Sequence, residues 1–122
     1  MASSRVLRRR LKEFALGLPE AWLDHPWGED VVKVGKKVFV FLGLEDMEEL
    51  LVTVKLEDSH DQALAVPGAE PAGYGLGRAG WVTIPLRDTT PPPDVLEDWI
   101  DESYRRVAPR KLVAELDAGR TG

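Results

Sequence analysis

The chain has 122 residues, 43% hydrophobic and 30% charged, enough for one core that buries roughly two-thirds of the unfolded surface, so a single domain over residues 1–122 is expected. It contains no cysteine, which excludes a disulfide framework, a thiol nucleophile and a cysteine zinc site. Lys and Arg number 16 against 21 Asp and Glu, a net charge of −5, so any polyanionic partner has to meet a local basic patch.

The N-terminal stretch MASSRVLRRRLKEF lacks the apolar segment of a signal peptide, and no run approaches the ~18 apolar residues of a membrane span. A cytoplasmic chain without membrane contact is expected. Leu7, Leu11, Phe14 and Leu18 recur at helical offsets behind a Ser3 or Ser4 N-cap, predicting an amphipathic helix over 4–17 with Arg5, Arg8, Arg9 and Lys12 on its opposite face. Gly17, in a left-handed conformation, and Pro19 are the expected stop. Residues 19–29 (PEAWLDHPWGE) read as a folded connection whose Trp22 and Trp27 cover the core edge.

The β-branched and aromatic runs VVKV (31–34) and VFVFL (38–42) predict a hairpin closed by Gly35-Lys36-Lys37, and LLVTVKL (50–56) a third, antiparallel strand. Ser59 and Gln62 have capping-box spacing for a short helix through Leu64. The glycine- and proline-rich run from Pro67 to Gly80 reads as a long loop, and WVTIPL (81–86) as a strand that ends at Pro85 or lies at an edge, with room for a fifth short strand within 74–90. Leu96, Trp99, Ile100, Tyr104 and Val107 then repeat with helical period, Pro109 interrupts, and 110–117 form a last helix before a frayed DAGRTG tail. The order α-β-β-β-α-β-α-α gives an α+β fold of two layers, an antiparallel sheet covered by helices.

Chemical motifs are sparse. Gly75-Leu76-Gly77-Arg78-Ala79-Gly80 matches G-x-G-x-x-G, but it precedes a strand, whereas a dinucleotide fingerprint follows a strand and opens a helix. Ser59-His60-Asp61 holds the residue types of a catalytic triad, yet neighbours on a helix diverge by ~100° and cannot form the relay. His25 and His60 have no metal-ligand spacing, and Glu45, Asp46, Glu48 and Glu49 lack the pattern of a calcium loop. No catalytic, cofactor or metal site is expected, and the chain is not read as an enzyme. Charge placement says more: residues 1–12 carry five cations and no acid, while Lys33, Lys36 and Lys37 at the hairpin and Arg78 in the glycine-rich loop form a second candidate patch for phosphates.

The succession LPEAWLDHPWGEDVVKVGKKVFVFL, LLVTVKLE, PAGYGLGRAGWVTIPL and PPDVLEDWIDESYRRVAPRKL resembles the MmcQ/YjbR family of small bacterial proteins over roughly residues 5–116. Its most telling pieces are Pro26-Trp27-Gly28, Val34 to Phe39, the Gly-Tyr loop before Trp81-Val82-Thr83, and Ser103-Tyr104. The resemblance implies a CyaY-like or secretion-chaperone-like fold and a double-wing mode of DNA binding. The family's loop before Trp81 is expected to be more basic and to hold a histidine; from Tyr74 to Gly80 only Arg78 is charged here. The expected partner is therefore duplex DNA, bound with little sequence preference by a monomer through Lys33, Lys36, Lys37 and Arg78, with Arg8 and Arg9 assisting. A protein partner, met through the sheet edge and the tryptophans, is the alternative.

Overall fold

The computed structural model describes residues 3–121, except the side chains of Trp27 and Thr121, so the expectation for Trp27 lies outside the described residues. Helix α1 (Ser4–Leu16) starts where the Ser3 side chain accepts the Val6 N–H at 3.2 Å. Its buried stripe is Arg8, Leu11 and Ala15, continued past the helix by Leu18. Gly17 does not take the expected left-handed conformation. It stays right-handed at φ −80°, and the reversal falls on Glu20 at φ +56°. The reason is local: the Gly17 N–H still bonds to the Glu13 and Phe14 carbonyls, so the chain completes another turn before leaving.

The segment read as a connection contains an edge strand, β1 (Ala21–Asp24), followed by a 3-10 turn at Pro26–Gly28. Strands β2 (Asp30–Val34) and β3 (Lys37–Gly43) form the predicted hairpin, with Val34 opposite Lys37. That register leaves a two-residue turn, Gly35-Lys36, in which Gly35 alone has positive φ (+62°), the requirement of a type II′ turn. The register shifts between Val32 and Lys33, so Phe39 is a bulged residue with no partner across the ladder.

Strand β4 (Leu51–Lys55) pairs with β3, then α2 (His60–Leu64) carries the chain to β5 (Glu70–Pro71). Strand β6 (Trp81–Pro85) inserts between β4 and β5, giving the order β1-β2-β3-β4-β6-β5 with every pairing antiparallel. The additional short strand thus lies at 70–71, outside the expected 74–90, and Pro85 is tolerated because it ends its strand. Helices α3 (Pro93–Val107) and α4 (Arg110–Thr121) complete the chain, and α4 continues through the expected frayed tail. The fold is α+β, and no helix among the described residues is long and apolar enough to cross a membrane.

Leu11 of α1, Ala63 of α2, Leu96 of α3 and Leu112 of α4 belong to one buried cluster with Val32, Val40, Val54 and Val82 of the sheet. Helices α1, α2 and α3 therefore pack on one sheet face, and α4 joins the same core through Leu112 and Leu116. Phe41, Thr53 and Thr83, each one residue out of phase with these valines, point to the other face. Trp81 and Trp99 are buried, and Trp22 lies out on β1 at 44% exposure instead of covering the core.

Two side chains of α3 close the core. The Ser103 hydroxyl donates to the Phe39 carbonyl and accepts the Lys55 N–H at 2.9 Å, so one buried oxygen bridges β3 and β4 just past the Val40–Val54 pair where their ladder ends. Tyr104 meets the Phe39 ring edge-on at 5.2 Å and donates its hydroxyl hydrogen to the Pro19 carbonyl at 2.7 Å. Ser59 does not cap α2 with its side chain; its hydroxyl donates to Glu102, whose carboxylate also accepts the N–H groups of Glu57 and Ser59.

Candidate nucleic-acid interface

Antiparallel register decides which cations share a surface. The Gly35-Lys36 turn lies at the end of the sheet where β4 finishes at Lys55 and β6 begins at Trp81, because Lys55 pairs with Trp81 and β4 runs against β3. Arg78, in the 3-10 turn Leu76–Ala79 that feeds β6, therefore sits at the same sheet end as Lys36 and Lys37, about two strand spacings or ~10 Å to the side. All three are exposed, and no ion pair engages any of them among the described residues. Arg78 also shares a shallow hollow with Glu57, Asp58 and Asp61, so the local field is mixed.

Lys33 is on the sheet between this tip and β1 but is already engaged. Its ammonium lies 2.7 Å from Asp24 Oδ2 and 5.3 Å from the centre of the Trp22 ring. The hydrogen bond from Lys33 lowers the Asp24 pKa, followed by that from the His25 N–H. The Trp22 indole N–H donates to the Gly35 carbonyl at 2.9 Å, so β1 braces the hairpin turn from the side.

The α1 arginines do not join the tip. Arg8, expected on the solvent face, is 2% exposed. Its Nε donates to the Leu42 carbonyl at 3.0 Å, and Nη2 donates to Gly43 O at 2.9 Å and Asp30 Oδ2 at 2.8 Å. These acceptors lie at the far end of the hairpin from its turn, where Asp30 pairs with Gly43, six residues or ~20 Å along β3 from Lys37. Arg8 is thus a core residue that no phosphate can reach, and Arg9, though exposed on α1, lies toward the same distant end. Lys12 and His25 Nδ1 also reach Asp30, at 3.4 and 2.8 Å. Burial works to raise the Asp30 pKa, but Arg8 and Lys12 outweigh it and the net shift is downward.

Charge alone did not reveal Arg8 as internal; its spacing could have. It precedes Leu11 by three residues and Ala15 by seven, on the buried stripe itself. Among the described residues no group of three or more His, Asp or Glu side chains comes together to hold a metal ion.

The YjbR family model matches residues 16–106, from the end of α1 to the end of α3. The chain belongs to this family. The crystal structure of Deinococcus radiodurans protein DR2400, with family-model domain DUF419, superposes with a TM-score of 0.68 over 85% of this chain and 80% of that one, at 22% sequence identity. At that identity the likeness concerns the fold. Among curated proteins nothing matches. The YjbR match spans the hairpin, the Tyr74 loop and the Ser103 bridge, and stops short of α4.

A second feature has no counterpart among the sequence-based expectations. On the helix-free face a groove of about 650 Å³ lies over Phe41, Leu51, Thr53 and Thr83, walled by the loop that carries Tyr74. Tyr74 is fully exposed, with a left-handed φ of +58°. The sequence signal was the alternation Phe41, Thr53, Thr83 opposite the core valines, legible only once strand pairing is known.

Proposed function

We propose that this YjbR protein binds duplex DNA weakly and without sequence preference, touching the sugar-phosphate backbone with Lys36 and Lys37 at the hairpin tip and Arg78 beside them. The observation that supports this reading is the convergence, at one end of the sheet, of three exposed cations with no ion-pair partner among the described residues: Lys36 in the two-residue turn, Lys37 at the start of β3 and Arg78 in the neighbouring 3-10 turn. Lys33 steadies the hairpin through Asp24 and Trp22 and is not a phosphate contact in this reading; Arg8 is excluded by its burial.

Three phosphate contacts set the scale of the test. Counterion release predicts a logarithmic salt slope of about −2.7, so raising salt fourfold, from about 50 to 200 mM, weakens binding roughly 40-fold. Fluorescence anisotropy of a labelled duplex at the two salt concentrations measures it. Lys36→Glu with Lys37→Glu removes most of that slope, and Arg78→Glu about one contact's share. Affinity and slope unchanged in the double variant, or no binding at low salt, overturn the reading and shift weight to a protein partner.

A further inference from the structure

We propose that the groove on the helix-free sheet face is a binding site for a small organic cation with an apolar body, a protonated or quaternary amine seated between Tyr74 and Phe41 beside Glu29. Three observations carry this, none of them shared with the DNA reading. The groove's volume, about 650 Å³, lies in the range of small-molecule sites. Its lining is chiefly apolar and aromatic and includes one carboxylate, Glu29, but no cationic side chain. Glu29 itself is exposed and has no ion-pair partner among the described residues. Aromatic faces and an uncommitted carboxylate attract positive charge, while Leu51 and Met47 accept the hydrocarbon.

The third observation is the conformation of Tyr74. A bulky residue at φ +58° is strained, and strain of this kind persists where the surroundings impose it. Here the loop is tied tightly: Ala72 N–H bonds to Trp81 O at 3.0 Å, Gly77 N–H to Ala72 O at 3.1 Å and Leu76 N–H to Gly73 O at 3.2 Å. Nothing in the core is gained from the ring, which is fully solvent-exposed. The loop therefore holds an aromatic side chain ready at the groove wall, where a ligand would bury it. On the floor, the Thr53 and Thr83 hydroxyls bond to each other at 2.9 Å and retain lone pairs to accept an ammonium N–H.

The test titrates the full chain with benzyltrimethylammonium, benzyl alcohol and benzenesulfonate, which share a ring and differ in charge, and follows backbone amide shifts by NMR. The expected result is saturable shifts at Thr53, Thr83 and residues 72–76 with the cation, weaker ones with the alcohol and none with the sulfonate. Glu29→Gln and Tyr74→Ala, both at exposed positions, each weaken the cation about two- to fivefold. Equal binding of the alcohol or the sulfonate, shifts elsewhere on the surface, no saturable shift, or affinity indifferent to both substitutions overturns the proposal. DNA titration of the same variants is expected to be unaffected, so the two sites fail or stand separately.

Discussion

Helix α1 and the β2–β3 hairpin carry similar clusters of positive charge, yet the fold uses them oppositely. At the hairpin, Lys36 and Lys37 sit in and just after a two-residue turn and are exposed, with the Gly35 carbonyl already taken by the Trp22 indole N–H. In α1, Arg8 faces the end of β3, where the carbonyls of Leu42 and Gly43 turn inward and need donors. A guanidinium offers several donors in a fixed fork and fits that gap, with Asp30 beside it to balance the charge. A cation's role thus depends less on its neighbours in sequence than on whether unpaired backbone acceptors lie within its reach.

The comparison breaks first at Arg8. Its replacement by Ala leaves Asp30 partly stripped of its partners and two carbonyls without donors, an expected loss of about 3–5 kcal/mol. Urea unfolding measures it, and a loss below about 1 kcal/mol would mean that α1 is no more anchored by its arginine than the hairpin is by its lysines.

Acid offers a second way to probe the same anchor. The Asp30 pKa is lower in the folded chain than in the unfolded one, because Arg8 and Lys12 outweigh the opposing effect of burial. Its contribution is therefore complete above the unfolded value, about 3.9, and is lost as pH falls through the lower folded value. Asp30→Asn is expected to be less stable than the parent at neutral pH, with the difference shrinking below about pH 4. A difference that stays constant through that range would show that the carboxylate's charge is not what holds Arg8.

The elements that long periodic runs encode were legible: α1, the hairpin, β4, β6 and α3 all fall where apolar spacing and turn residues place them. What escaped was tertiary in origin. β1 is four residues long between two prolines, with Trp22 facing solvent, and it exists because β2 offers it a ladder. β5 has only Glu70 and Pro71, too short for any pattern. Of the candidate contacts, Lys36, Lys37 and Arg78 are exposed, whereas Lys33 and Arg8 are engaged by Asp24 and Asp30, carboxylates nine and twenty-two residues away. Pairings of this kind require the register, which composition does not contain.

Ser103 sharpens the comparison from the neutral side, since it does with a hydroxyl what Arg8 does with a guanidinium. Both supply side-chain partners to strand backbone that the ladder leaves unpaired, at opposite ends of β3. Ser103→Ala removes the acceptor for Lys55 N–H and the donor to Phe39 O without changing much volume. The expected cost is about 1–3 kcal/mol by thermal or urea unfolding, smaller than for Arg8 because no charge is stranded. Hydrogen exchange at the Lys55 amide should accelerate with it; an unchanged rate would mean that the strands close the gap themselves.

The smallest expected effect on stability is at the hairpin tip, and it is the most discriminating. Lys36→Glu with Lys37→Glu reverses two charges, but both residues are exposed with no ion-pair partner among the described residues, and the turn depends on the positive φ of Gly35, which the substitutions leave intact. Stability should stay within about 0.5 kcal/mol of the parent. The hairpin would then remain folded while its DNA affinity and salt slope fall, and the loss could not be ascribed to unfolding. A destabilisation comparable to that of Arg8→Ala would instead place the tip lysines among the groups that hold the fold together, and the distinction between the two basic regions would collapse.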